Sequence, residues 1–298
     1  MNAKVLSRRP SAYRTSFPIE ELEVELPEHG RATIVCKWLD WDRLDPTARL
    51  AKPRFLHDPR REPFVYERLL PLGPPGPPRL LEAAGGGRLC LEWIDGPNLF
   101  QVGELELWEA AAAWLGHFHA TFDGAPPVLP DGCRLVERDP AFYRRWLIRA
   151  REFGVRDRLG GAAALDWLAA RHEPVVEALT AMDRTLLHGE FYASNVLIAA
   201  GAPSPRVAAV DWELAGPGPG ALDLAALVCG WPAADREAMR RAYVRGRGRE
   251  LPARDLDLAR LQVAIQWLGW APPEWEPPPD QRRDWVGEAV EIAEGLGL

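Results

Sequence analysis

The residues His188-Gly189-Glu190-Phe191-Tyr192-Ala193-Ser194-Asn195 lead directly into an apolar run, Val196 to Ala199, and a second apolar run, Val207 to Val210, ends on Asp211-Trp212-Glu213. The glycine- and proline-rich stretch between the runs turns the chain, which makes them an antiparallel hairpin. Asn195, just before the first strand, and Asp211, just after the second, then lie at one open end, where paired positions sit about 5 Å apart at Cβ. An amide oxygen and a carboxylate so placed suit a hard cation that keeps waters and shares phosphate oxygens, such as Mg²⁺. Glu190, five residues before Asn195, is positioned to take a proton from an attacking hydroxyl.

Chemistry on phosphates also calls for a cation, and composition singles one out. Of 36 basic residues only three are lysines: Lys4, Lys37 and Lys52. Lys4 and Lys52 stand in polar, proline-flanked surroundings. Lys37 lies inside Ala-Thr-Ile-Val-Cys-Lys-Trp-Leu, which reads as a strand with little access to water. Taken alone, Lys37 is equally a side chain snorkelling from a strand edge, and Glu62 a carboxylate favoured by a helix N-terminus.

The elements that must position these groups follow from periodicity. Glu21 to Leu26 alternates acidic and aliphatic residues, and Pro27 to Gly30 supplies a turn, so residues 21–39 form a hairpin containing Lys37. Glu62 to Leu70 reads as a short helix, and Arg79 to Ile94 carries two strand-like runs around Gly85-Gly86-Gly87. From Glu104 to Phe122 the residues Trp108, Ala111, Leu115, Phe118 and Phe122 recur at helical spacing. Residues 141–182, 220–246 and 255–270 are mainly helical, and a proline-rich stretch runs from Ala271 to Asp280. Composition changes with the helix at Glu104 to Phe122, and the lobe boundary is placed near Asp95-Gly96-Pro97. The expected division is residues 1–95, a small lobe that binds nucleotide, and 96–298, a larger lobe with the chemistry and the acceptor.

His-Gly-Glu-x-x-x-x-Asn followed by Val-Asp-Trp-Glu-x-Ala-Gly-x-Gly-Pro and Leu-Asp-Leu-Ala resembles the catalytic and metal-binding segments of the aminoglycoside phosphotransferase and choline kinase family. The resemblance implies an α+β, two-lobed, protein-kinase-like fold: a small antiparallel sheet with one main helix, then a mainly helical lobe. It implies ATP, or GTP, with Mg²⁺ as cofactors. Asn195 and Asp211 hold the metal, Lys37 touches the nucleotide phosphates, and Glu62 pairs with Lys37. The phosphates are covered by Ser11 to Phe17, including Ser16, in place of a Gly-x-Gly-x-x-Gly loop. Adenine rests on the backbone of Leu91 to Ile94, through Glu92, Trp93 and Ile94, while His188 and Asp223 support the catalytic loop. The chain departs from the family in carrying Glu190 where Asp is usual, which adds about 1.5 Å of reach. The acceptor expected is a hydroxyl of an amino sugar, an aminoalcohol, a natural-product sugar or a biosynthetic peptide. The alternative is a pseudokinase that binds nucleotide without turnover.

Other readings fare worse. An iron oxygenase needs a second histidine downstream of His-x-Glu, and none follows His188; a dinucleotide-binding enzyme needs a glycine fingerprint between strand and helix, which is missing. The net charge of −7 argues against a nucleic-acid partner. The sequence lacks an export signal and an apolar stretch that would span a membrane, and Cys36, Cys90, Cys133 and Cys229 lie scattered, so a cytoplasmic protein with reduced thiols is expected. His119 and His188 read as hydrogen-bonded core histidines, and Asp223 by itself as a helix N-cap. Gly216 to Gly220 reads as a rigid turn, and Trp267, Trp270, Trp275 and Trp285 as core. Oligomeric state is open.

Overall fold

The computed structural model describes residues 4–12, 16–27, 30–84, 87–124, 133–153, 161–200, 204–270 and 283–298. Its first part is a five-stranded antiparallel sheet in the order β1-β2-β3-β5-β4, built from β1 (Lys4–Pro10), β2 (Ile19–Leu26), β3 (Gly30–Trp38), β4 (Leu80–Ala84) and β5 (Arg88–Glu92). Alternation along β3 decides the fate of its lysine. Ile34 and Cys36 face a small outer cluster with Leu22, Val24 and Cys90, so Lys37 and Leu39 face inward, toward the rest of the molecule. β1 is exposed along its length and pairs antiparallel with β2, and across the ladder Arg9 Nε donates to Glu21 (2.7 Å). Charged residues suit such an edge, where bare backbone groups would invite another strand.

The β3–β5 register places Cys36 directly opposite Cys90, with Cα atoms 4.2 Å apart, and the two form a disulfide. The expectation of four reduced thiols is therefore corrected: Cys133 and Cys229 alone are free. A pairing across 54 residues depends on strand register, which cysteine spacing does not reveal.

Between β3 and β4 lie the short helix α1 (Pro46–Ala51) and a helical run that starts as α2 (Arg61–Phe64), widens to a π-turn over Val65–Leu69 and tightens to a 3₁₀ turn at Leu70–Leu72. This is the helix expected from Glu62. The helical part follows: α3 (Leu105–Thr121), α4 (Pro140–Phe153), α5 (Gly161–Ala169), α6 (His172–Ala181), α7 (Ala221–Leu227), α8 (Ala233–Arg247), α9 (Ala253–Trp270) and α10 (Trp285–Gly295). Trp108, Ala111, Leu115 and Phe118 line the buried face of α3, as their spacing predicts. The proline-rich Ala271 to Asp280, with Trp275, lies outside the described residues, as do Gly85 and Gly86.

Between α6 and α7 run two ladders, β6 (Arg184–Leu187) with β9 (Gly216–Pro219) and β7 (Val196–Ala199) with β8 (Arg206–Ala209). The expected turn at Gly216 to Gly220 is thus corrected to a strand over its first four residues, all buried. The segment around Val136 lies directly on this strand, and a Cβ on Gly216 would come within 2.1 Å of the Val136 carbonyl oxygen. Among the described residues no helix is long and apolar enough to cross a membrane.

Candidate active site

The β7–β8 hairpin delivers its ends as its sequence requires. The Val210 N–H donates to the Asn195 carbonyl (2.9 Å), so Asp211 is the first residue past the closing bond. There the backbone turns sharply. Asp211 has φ +68°, the one positive φ on a non-glycine among the described residues, a conformation that Asp tolerates better than most. Its carboxylate meets Lys37, with Nζ 2.5 Å from Oδ1. Lys37 Nζ is also 2.9 Å from Glu62 Oε2, and Glu62 is almost wholly buried. Strand, helix and hairpin thus meet at one ammonium. Burial works to lower the Lys37 pKa, but the charges of Asp211, Glu62 and Glu213 outweigh it and hold it well above its ordinary value.

The loop between β6 and β7 is pinned from behind. Asp223, in the first turn of α7, accepts from the backbone N–H of His188 (2.6 Å) and of Gly189 (2.9 Å) and bonds His119 Nε2 (3.2 Å). It lies inside the helix rather than at its N-cap, a correction to the single-residue reading. His188 spans the loop, with Nε2 2.8 Å from the Val210 carbonyl and Nδ1 accepting from the Glu190 N–H (3.2 Å). Those two bonds fix a neutral ring with the proton on Nε2, and burial lowers its pKa accordingly. Gly189, at φ +93°, has to be glycine, because a Cβ would lie 2.3 Å from both Arg138 Nη2 and the Leu214 oxygen.

Glu190 therefore projects from a fixed backbone, and Asn195 Nδ2 donates to its carbonyl (3.0 Å). Burial, followed by the neighbouring charges of Glu213 and Asp211, pushes the Glu190 carboxyl up to about 8. Burial likewise lifts Glu62 to about 7 against the pull of Lys37. Four carboxyl groups, Glu62, Glu190, Asp211 and Glu213, share the site with two ammoniums, Lys37 and Lys52. No three His, Cys, Asp or Glu side chains among the described residues form a closed metal cage.

A family model described as "Phosphotransferase enzyme family" matches residues 48–260. The chain belongs to the phosphotransferase enzyme family. No curated protein sequence matches it. Solved structures do: a choline kinase from Streptococcus pneumoniae (15% identity, TM-score 0.64, 99% of this chain and 94% of that one) and a microcompartment-associated aminopropanol kinase (16%, 0.63, 99% and 90%). An aminoglycoside phosphotransferase from Alicyclobacillus acidocaldarius is similar too (17%, 0.59, 98% and 90%). At these identities the likeness carries the fold, an antiparallel sheet followed by a helical part, as the sequence leads one to expect.

In this phosphotransferase the outlying expected residues are placed as follows. Ser16 is half-buried at the start of the segment entering β2, and its carbonyl accepts from the Asp45 N–H (3.0 Å); Tyr13, Arg14 and Thr15 lie outside the described residues. Glu92, at the end of β5, is clamped by both terminal nitrogens of Arg206 (2.9 and 3.0 Å), whose hydrogen bonds pull its carboxyl down to about 2. Its N–H donates to Arg79 O (3.0 Å). Trp93 and Ile94 follow directly. Trp267 packs edge-on against Tyr192 (5.4 Å) and stacks on Trp285 (5.4 Å), and Trp270 stacks on the fully buried Trp146; Trp267, Trp270 and Trp285 are partly buried against the main core.

Two charged residues of the phosphotransferase escaped the sequence reading. Lys52 is not in polar surroundings: its side chain is 2% exposed and its ammonium pairs with Glu213, which lies two residues past Asp211. Lysine scarcity, the signal that picks out Lys37, applied equally to Lys52. The flanking prolines masked it.

Proposed function

We propose that this phosphotransferase moves the γ-phosphoryl group of ATP, with Mg²⁺, to a hydroxyl of a small molecule. The observation that carries this is the meeting of Lys37 with both Glu62 and Asp211, at 2.9 and 2.5 Å. Residues 1–95 contribute the nucleotide side and 96–298 the catalytic loop and the acceptor side. Asn195 and Asp211 suit Mg²⁺, because two oxygen donors leave positions for water and phosphate oxygens, and a divalent cation would offset the surplus of carboxylates. When bound, the ion supplies positive charge to the phosphates as negative charge shifts among them.

The chain's own residues do the rest. Glu62 steadies Lys37 against the phosphates, and the backbone at Trp93 and Ile94 takes the adenine, since the Glu92 N–H is already engaged by Arg79. Glu190, held by the His188 and Asn195 bonds, accepts the hydroxyl proton of the acceptor, and its raised pKa makes it a stronger base than an ordinary carboxylate. An acidic site favours acceptors that carry an amine, such as aminoalcohols and amino sugars, over neutral sugars and peptides. The test is ATP consumption across a panel of amines, sugars and hydroxyl peptides, with and without Mg²⁺. Transfer to an amine-bearing alcohol, lost in Asp211→Ala, is the expected result; nucleotide binding with no transfer to any acceptor would turn the assignment toward a pseudokinase.

A further inference from the structure

Besides Lys37 the site holds a second interior ammonium, and the two divide the carboxylates between them. Lys37 takes Glu62 and Asp211. Lys52 takes Glu213, two residues past Asp211. Both lie over the ring of Phe17, Lys52 Nζ at 4.7 Å and Lys37 Nζ at 5.5 Å from its centre, so one aromatic ring serves both ammoniums. The backbone of Lys52 is fixed as well: its N–H closes α1 on the Ala48 carbonyl (2.8 Å), and Arg149 of α4 reaches the preceding carbonyl, that of Ala51 (3.3 Å). Lys52 thus brings a second ammonium to the end of the hairpin that carries Asp211 and, two residues on, Glu213. Lys37, between Glu62 and Asp211, is on the nucleotide side.

We propose that Lys52 is a second phosphate-contacting residue: Glu213 holds it in the unliganded protein, and it moves onto the oxygens of the phosphoryl group in transit. This rests on the phosphotransfer reading above. In the step, the acceptor oxygen bonds to phosphorus while its proton passes to the Glu190 carboxylate. The bond from phosphorus to the bridging oxygen breaks, and its electron pair leaves on the nucleoside diphosphate. Lys52 exchanges no proton; it offsets charge on the oxygens in flight, and should therefore matter more for the transition state than for bound nucleotide.

The test needs no acceptor. Calorimetry would measure the affinity of the whole chain for MgADP alone and for MgADP with aluminium fluoride, which mimics the group in transfer. The wild type should prefer the fluoride complex. Lys52→Met should reduce that preference on the order of 10²-fold while changing MgADP affinity less than about threefold, and Lys37→Met should weaken both complexes. Lys52→Arg should restore part of the preference. The double variant Lys52→Met/Glu213→Gln, which leaves no carboxylate unpaired, should behave like Lys52→Met and guards against a folding defect. An unchanged preference in Lys52→Met, a parallel loss for both complexes, or a wild type without preference would overturn the role of Lys52. Failure of the wild type to bind MgADP at all would bring down the phosphotransfer reading itself, and Lys52 with it.

Discussion

Glu190 stands where the family resemblance leads one to expect aspartate, and its surroundings give the extra methylene a meaning. Its backbone is fixed on both sides, by His188 Nδ1 and by the Asn195 amide, so the added reach is directed rather than free. Shortening the side chain should draw the base back from the acceptor. Glu190→Asp is therefore expected to lower the turnover number while leaving the KM for ATP near the wild-type value, and equal turnover would show that the longer reach has no function. Asp211→Ala should cost two or more decades of turnover, in keeping with about 10²–10⁴ for a positioned catalytic group. Lys37→Ala should act differently, chiefly by raising the ATP concentration needed for half-maximal rate. Steady-state kinetics with ATP as the varied substrate separates these outcomes.

Elements place those residues, and the elements differ in how far sequence exposes them. The β2–β3 hairpin, the helix from Glu62 and α3 follow from apolar periodicity because each has one wet and one dry face. β1 has no dry face and is held by its backbone ladder to β2, so alternation carries no trace of it. β9 consists of glycine and proline, turn residues by habit, and becomes a strand because Val136 and Arg138 occupy the space where side chains would be. The Cys36–Cys90 bond and the Lys52–Glu213 pair depend on register and on contacts across 161 residues, which no local pattern records. Alkylation in denaturant without reductant should accordingly find two thiols, and four would contradict the pairing. The loop from His188 to Asn195 was legible as a motif, and its support at Asp223 through the family resemblance, but not the means of that support: Asp223 collects two backbone N–H groups and His119 in a dry interior. Asp223→Ala orphans all three donors at once. Urea denaturation should show a loss of at least about 3 kcal/mol, with an unchanged slope if the fold is kept.

At the scale of the whole molecule, sheet and helical part are joined through charge. Lys37 to Asp211, Lys52 to Glu213 and Glu92 to Arg206 each cross from one to the other, and Arg61 adds bonds to the carbonyls of Glu213 (2.5 Å) and Arg134 (2.5 Å). Stability should consequently follow pH, in a window set by opposing groups. The buried histidines His119, His172 and His188, and the half-buried His57, have pKa values lowered by burial, so the fold loses stability as pH falls below about 6.5, where the unfolded chain takes up protons that the fold refuses. Glu190 and Glu62 work in the other direction. Their carboxyls, raised to about 8 and about 7, keep protons in the fold that the unfolded chain has already lost above about 4.5, so stability declines as pH climbs through those values. Between pH 6.5 and 8 the unfolded chain's histidines finish losing their protons, which offsets part of the decline, and the two carboxyls set its sign. Unliganded protein should lose about 1–2 kcal/mol across that window in urea titrations, and Glu190→Gln should flatten most of the decline. A wild type whose stability rises from pH 6.5 to 8, or a Glu190→Gln variant with an undiminished slope, would show that the surplus carboxylate charge resides elsewhere than at this residue.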